Sequence, residues 1–311
     1  MTDASLTLRL SRTEVLADQN GDSADSPVLC QLGYQQPAAL NRMITIVFWN
    51  TKQQLDVDVI ASLGEATGAD IIALAEMGPS PSAILTALNR TTTSYHYAPG
   101  VGNTKIHIYV RFSKSLAAPV YETDRLTIRH IDVPGVEDFL LAAVHFPSKY
   151  AWDEASQATE CIVLADDIRQ AERRVGHQRT VLIGDLNMNP FEDGVVSAAG
   201  LHGVMTRQLA ARGSRIVQGR EYPFFYNPMW GFLGDFSPGP PGTFFHARAE
   251  QRVYFWNAFD QVLVRPALLD RFSVGDLEVL TGIHGRSLLS TSGIPDPAIA
   301  SDHLPILFRI S

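Results

Sequence analysis

In the stretch TVLIGDLNMNPFEDG, Thr180–Gly194, an apolar run stops at Gly184 and delivers a carboxylate, Asp185, and an amide, Asn187, one residue apart. Other apolar runs end in the same manner. Met43–Trp49 ends at Asn50, Asp70–Ala75 at Glu76 and Phe139–Val144 at His145; Asp260 opens the run DQVLV, and Ser301-Asp302-His303 precedes the last run. Carboxylate and amide oxygens suit a hard divalent cation, a carboxylate can deprotonate water, and an imidazolium can steady a developing oxyanion. Each residue alone has a plainer explanation: a turn or helix cap for the aspartates and Asn50, a first-turn carboxylate for Glu76, a rim histidine for His145. Together, at successive run ends, they point to one site.

For these side chains to meet, the runs must be strands ending on one rim, where α/β folds bind their ligands. Residues 1–42 are polar, rich in Asp, Ser and Gln, and only weakly periodic, which predicts a flexible leader. Met43 is also a candidate internal start, which would make that leader a start-site artefact. From Met43 onward, β-branched and aromatic runs alternate with helical spacing: MITIVFWN then DVDVIASLGEAT, ADIIALAE then PSPSAILTALNR. TKIHIYVRF, LTIRHIDV and DFLLAAVHF follow as strands, then the longest helix, WDEASQATECIVLADDIRQAERRVG, stopped by Gly176. After the strand at Val181–Ile183 come Arg-rich RQLAARGSRIVQGR and an aromatic, Pro/Gly-rich insertion near 221–246; FDQVLV and LPILFRI close the chain. Hairpin-like pairs mixed with helical crossovers predict two mixed β-sheets flanked by helices, in one domain over 43–311 without repeats.

The 311 residues, 45% hydrophobic and 19% charged, suffice for a sizeable globular core. A net charge of −8 and a pI near 5.6 weigh against a broad basic face for duplex DNA, but not against a local basic groove. Two cysteines, Cys30 and Cys161, make no disulfide framework. With no signal-peptide pattern and no membrane-length apolar run, a cytoplasmic enzyme is expected.

In chain order, FWNTK, ALAEM, VHFPSK, GDLNMNP, FDQVLV and SDHLPI resemble the motif series of the endonuclease/exonuclease/phosphatase superfamily. That group includes pancreatic-type deoxyribonuclease, apurinic endonucleases, neutral sphingomyelinases and inositol-polyphosphate 5-phosphatases. The likeness runs from Met43 to the C-terminus, and Gly-Asp-x-Asn and Ser-Asp-His are its most specific parts. It implies a deoxyribonuclease I-like α/β fold, a four-layer α/β/β/α sandwich, and metal-dependent hydrolysis of a phosphoester. Glu76 is then the first metal ligand, supported by the Asn50 amide oxygen and by Asp302, for Mg²⁺ with Mn²⁺ as a possible substitute. Asp185 would orient and deprotonate the attacking water. Asn187, expected beside it through the period-two alternation of an extended segment, would hold the water or a phosphate oxygen. His303 would donate to a non-bridging oxygen, with Asp260 on its other ring nitrogen. His145 resembles the second histidine of the deoxyribonuclease and sphingomyelinase branches, contacting the phosphate or assisting the leaving group. Two residues depart from the pattern: Ala75, where many members have Gln, and Gln261, where the 5-phosphatases have Arg. The second argues against phosphoinositide substrates.

A nuclease acting on DNA or RNA is the leading expectation, and a phosphatase or phosphodiesterase acting on a small soluble or lipid-linked phosphate the alternative. A non-catalytic binding module fits least, because Asp185, Asn187 and His303 are all retained. Arg207, Arg212, Arg215, Arg220, Arg248 and Arg252 flank the aromatic segment and could hold phosphates or serve solubility. Phe224, Phe225, Tyr226, Trp230, Phe232 and Phe236 are expected first as core, with base stacking, lipid insertion or subunit contact as alternatives. Lys149 could reach a phosphate or be a plain loop lysine.

Overall fold

Strands that are apolar on both faces must be covered on both sides, and two sheets with flanking helices provide that cover. A computed structural model describes residues 42–311 apart from Gln54, Thr92, Thr93 and Thr104; the expected leader, but for Arg42, and Cys30 lie outside the described residues. One sheet is built from β1 (Ile44–Asn50), β2 (Ile71–Ala75), β3 (His96–Ala98) and β4 (Ile106–Val110). The other contains β5 (Ala117–Glu122), β6 (Leu126–Ile131), β7 (Phe139–His145), β8 (Thr180–Asp185), β9 (Gly203–Val204), β10 (Phe225–Tyr226) and β11 (Asp260–Val264). The chain then returns to the first sheet with β12 (Glu278–Val279) and β13 (Ile306–Ile310). The six-stranded order is β12-β13-β1-β2-β4-β3 and the seven-stranded order β5-β6-β7-β8-β11-β10-β9. Both sheets are mixed: β1 is parallel to β2 and antiparallel to β13, while in the seven-stranded sheet β7 is parallel to β8 and β9 to β10, the other pairs being antiparallel.

The helices are punctuated as their sequences predict. α1 (Val57–Thr67) is capped by Asp56 and stopped by left-handed Gly68; α2 (Pro81–Leu88) starts on Ser80 with Pro in its first turn. α3 (Glu154–Val175) is capped by Asp153 and stopped at Gly176, φ 88°.

Period-two alternation sorts the seven-stranded sheet into two faces. Leu140, Ala142 and Val144 of β7, Leu182 of β8 and Leu263 of β11 pack with Cys161, Leu164, Ile168 and Ala171 of α3. Their neighbours Phe139, Leu141, Ala143, Val181, Ile183, Val262 and Val264 join the core shared with the six-stranded sheet, whose other face takes Ile60 and Leu63 of α1 and Ile84 of α2. The result is the four-layer α/β/β/α sandwich. Each fully buried Leu or Ile in these layers contributes about 1.5–3 kcal/mol.

The aromatic segment divides. Phe224, Phe225 and Tyr226 are buried, the last two as a strand of the sheet itself; Trp230 and Phe232 are half-buried, and Phe236 is fully exposed. Arg207 donates to the carbonyls of Leu269 and Phe272, a structural use of one flanking arginine.

Candidate active site

The alternation that faces Ile183 towards the other sheet carries on to the strand ends. It places His145, Asp185 and Asp260 on the same face, in a row: His145 is in register with Asp185 across β7 and β8, and Asp185 with Asp260 across β8 and β11. Gly184 lets the row form. Its φ is 147°, and a Cβ there would lie 1.9 Å from the Val144 carbonyl oxygen.

Strand β1 packs across this face, against β8 and β11. Asn50 at its end donates through Nδ2 to Asp185 Oδ2 at 2.9 Å and to Glu76 Oε1 at 3.3 Å. Glu76 follows β2, the parallel neighbour of β1, with φ 50° in the left-handed region. The Ser301–His303 segment is tied to β1 from the other side. Ser301 Oγ donates to the Asn50 carbonyl at 2.7 Å, Trp49 Nε1 to the His303 carbonyl at 2.8 Å. His303 Nδ1 lies 2.7 Å from Asp260 Oδ2, and the Phe244 ring packs over the imidazole, centroids 4.7 Å apart. All eight residues singled out in the sequence thus gather where the two sheets meet.

Burial opposes a charge on His303, but the carboxylates of Asp260, Asp185 and Asp302 prevail and raise its pKa to about 10. It is an imidazolium at neutral pH. Burial pushes the Asp185 carboxyl up, against the nearby His303 charge. The His145 hydrogen bond, Nε2 to Glu76 Oε1 at 3.0 Å, holds the Glu76 carboxyl below its ordinary value despite partial burial.

Three placements differ from expectation. Asn187 reaches Asp185 by a left-handed turn, φ 49°, not by strand alternation: its N–H donates to Asp185 Oδ1 at 2.8 Å and its Nδ2 to Oδ2 at 3.1 Å. An asparagine tolerates this region better than most residues because its amide bonds locally. Asn50 turns its amide nitrogen, not its oxygen, to the carboxylates; Oδ1 accepts the Lys52 N–H at 3.1 Å. Asp302 Oδ2 is held by Lys52 Nζ at 2.5 Å. Lys52 lies inside FWNTK, two residues after Asn50, so proximity in the motif was the available signal for it.

Other residues act as braces. Gln261 is buried, donating to the Met188 carbonyl at 2.6 Å and accepting from Asn227 Nδ2 at 2.8 Å, so it clamps the Asp185–Asn189 loop. Asn189 accepts the Ala258 N–H and donates to Asn257, pinning that loop to the start of β11. Lys149 pairs with Glu192.

Among the described residues, Glu76, His145 and Asp185 form one group able to hold a metal ion, and Asp185, Asp260 and His303 another beside it. Oδ1 of Asp302 and Oδ1 of Asp260 are buried without a hydrogen-bond partner. Hard, unsatisfied carboxylate oxygens at the edge of such a cluster fit a hard divalent ion. A third group, His130, Asp138 and His177, has its own use: Arg179 also binds Asp138, and His177 Nδ1 accepts the Arg179 N–H at 3.2 Å. That bond leaves the proton on Nε2, which then donates to Asp138 and offers no lone pair.

The sequence profile of the Endonuclease/Exonuclease/phosphatase family matches residues 47–303, which include every residue of this site. The chain belongs to the endonuclease/exonuclease/phosphatase family. Its members hydrolyse phosphoester bonds with the help of divalent metal, and the carboxylate and histidine groups gathered here could bind such an ion. Solved structures share the fold. An endonuclease/exonuclease/phosphatase family protein from Leptotrichia buccalis is 13% identical with a TM-score of 0.53, over 86% of this chain and 99% of that one. A family protein from Bacteroides thetaiotaomicron is also 13% identical, TM-score 0.53, over 86% and 95%. Truncated Caenorhabditis elegans TDP2 is 15% identical, TM-score 0.51, over 86% and 97%. At such identities the likeness is one of fold. A comparison with curated proteins returns no match. No helix among the described residues is long and apolar enough to cross a membrane.

Proposed function

We propose that this family member is a Mg²⁺-dependent phosphodiesterase that cuts DNA or RNA by attack of water on phosphorus. The observation that carries the chemistry is the buried Asp185, gripped by two amides and set one strand from an imidazolium–carboxylate pair. Glu76 and Asp302 would hold the ion, Asn50 joining them only if its amide turned its Oδ1 away from the Lys52 N–H, and Mn²⁺ fits the same carboxylate oxygens. When bound, the ion offsets the negative charge of the phosphodiester.

The remaining work falls to the chain. Asp185, its basicity raised by burial, takes a proton from water as the new P–O bond forms. The Asn50 and Asn187 amides fix the carboxylate so that it needs no reorganisation. His303, charged at neutral pH, donates to a non-bridging oxygen as negative charge grows, and Asp260 fixes its ring. His145, hydrogen-bonded to Glu76, would contact the phosphate or assist the departing oxygen. The bond from phosphorus to the leaving oxygen breaks, that oxygen takes a proton from solvent water, and Asp185 returns its proton to solvent.

The test compares wild type with Asp185→Ala on plasmid, single-stranded DNA, RNA and bis(p-nitrophenyl) phosphate, with Mg²⁺, Mn²⁺ or chelator. Wild type should cut a polymer only with metal, and the variant should not. Activity that survives chelation would remove the metal from the mechanism. Turnover of the small diester alone would make the protein a small-ester phosphodiesterase.

A further inference from the structure

A groove of about 370 Å³ opens beside Asn187 and Phe244, directly outside the catalytic row. One wall is the two-stranded hairpin Phe244–His246 with Phe255–Asn257 and the loop between them; the other is the Ser148–Tyr150 turn after β7. Phe244 touches His303, and the His246 ring lies 6.2 Å further out, parallel to within 15°. Arg248 comes next at the same two-residue interval and lies 4.4 Å over the Tyr150 ring. Phe244 and His246 share a strand face, so this wall presents two near-parallel rings 6.2 Å apart, and Arg248 follows just past the strand end. That spacing is roughly twice the ~3.4 Å rise of a strand in duplex DNA. It suits a chain whose bases are spread apart.

The charges favour the same occupant. Arg248 lies near Glu250, Arg252 near Glu154, and Lys149 is paired with Glu192. A duplex reader needs uncompensated cations along two phosphate backbones. Here the cations are balanced, while Tyr150 is largely exposed and Tyr254 about half-exposed at the groove mouth. Exposed rings with a guanidinium beside them can stack on unpaired bases, whereas a duplex keeps its bases inside the stack.

We propose that this groove holds unpaired nucleobases next to the scissile phosphate, making the substrate a single-stranded or frayed nucleic acid. The inference rests on the phosphodiesterase reading above and adds the substrate class and the side from which the strand enters.

The test measures binding and cleavage separately, on the full chain. Fluorescence anisotropy under chelation compares an eight-nucleotide single strand, in DNA and RNA versions, with an abasic strand carrying the same phosphates and with a blunt duplex. The base-bearing strand should bind at least about tenfold tighter than both, and His246→Ala or Tyr150→Ala should each remove about ten- to hundredfold of its affinity, the worth of one stacked base. A wild-type protein that binds the abasic strand or the duplex equally well overturns the proposal, with no variant needed. So do variants that bind the single strand as wild type does. Cleavage of the same strands with Mg²⁺ then separates the two readings. Hydrolysis without base preference sinks the groove alone, whereas base-dependent binding without hydrolysis under any metal sinks the phosphodiesterase.

Discussion

Replacing Asp260 by Asn keeps the shape of the carboxylate that faces His303 and removes its charge. Asp260 is the first of the three carboxylates that raise the imidazole to about 10, and it is in direct contact at 2.7 Å. At pH 8 an imidazole held at about 10 is almost wholly protonated; one returned to the ordinary value of about 6.5 is protonated in roughly one molecule in thirty. Asp185 and Asp302 remain, so the return should be partial, and about thirtyfold is the ceiling on activity lost through protonation alone. The expected result is an alkaline limb of the kcat/KM profile that moves from near pH 10 towards neutrality, with most activity recovered at pH 6. NMR titration of the His303 ring gives the same number without substrate or metal. Stability should follow. A folded state that holds the proton more tightly than the unfolded chain gains from His303 fully below about pH 6.5, and loses that gain as pH rises through about 10. An alkaline limb that stays in place in Asp260→Asn, or a wild-type ring that titrates near its ordinary value, would refute the reasoning.

Other substitutions test other parts of the site. Glu76→Gln should raise the Mg²⁺ concentration for half-maximal activity by at least about tenfold, and unchanged metal dependence would remove Glu76 from the metal. Gly184→Ala drives a Cβ into the Val144 carbonyl; it should cost about 3 kcal/mol or more in urea unfolding, and a cost below 1 kcal/mol would contradict the close approach. Glu172 accepts Arg265 Nε at 2.8 Å within the core, under a guanidinium 3.8 Å over the Phe225 ring. Glu172→Ala strands that buried cation and should cost about 3–5 kcal/mol, read as a lowered denaturant midpoint with unchanged slope.

The strand ends were legible because β-branched runs stop abruptly at residues that could do chemistry, from Asn50 to His303. Their layout was not. Phe139–Val144 and Val181–Ile183 are apolar at every position because both faces are buried, so alternation is invisible in the letters and cannot tell that His145, Asp185 and Asp260 share a face. The turn at Asn187 escaped for another reason, since φ is a local choice that tertiary contacts decide. Rings were the hardest to place. Phe225 and Tyr226 entered the sheet, as their first reading as core suggested, while the rings that line the groove, Phe244, Tyr150 and Tyr254, sit on a short hairpin and in loops with weak local signals. Lys52 stands within the FWNTK motif, but only the fold brings Asp302, 250 positions away, to its side.

Glu76 and Asn187 both sit in the left-handed region without being glycine. For an ordinary L-residue that conformation costs about 1–2 kcal/mol, less for asparagine. Glycine at either position would relax the backbone and, on the proposed mechanism, remove a working side chain in the same stroke. Selection for a tougher fold and selection for turnover therefore pull in opposite directions at these two codons, and a library screened for heat resistance alone should drift to glycine there and go silent.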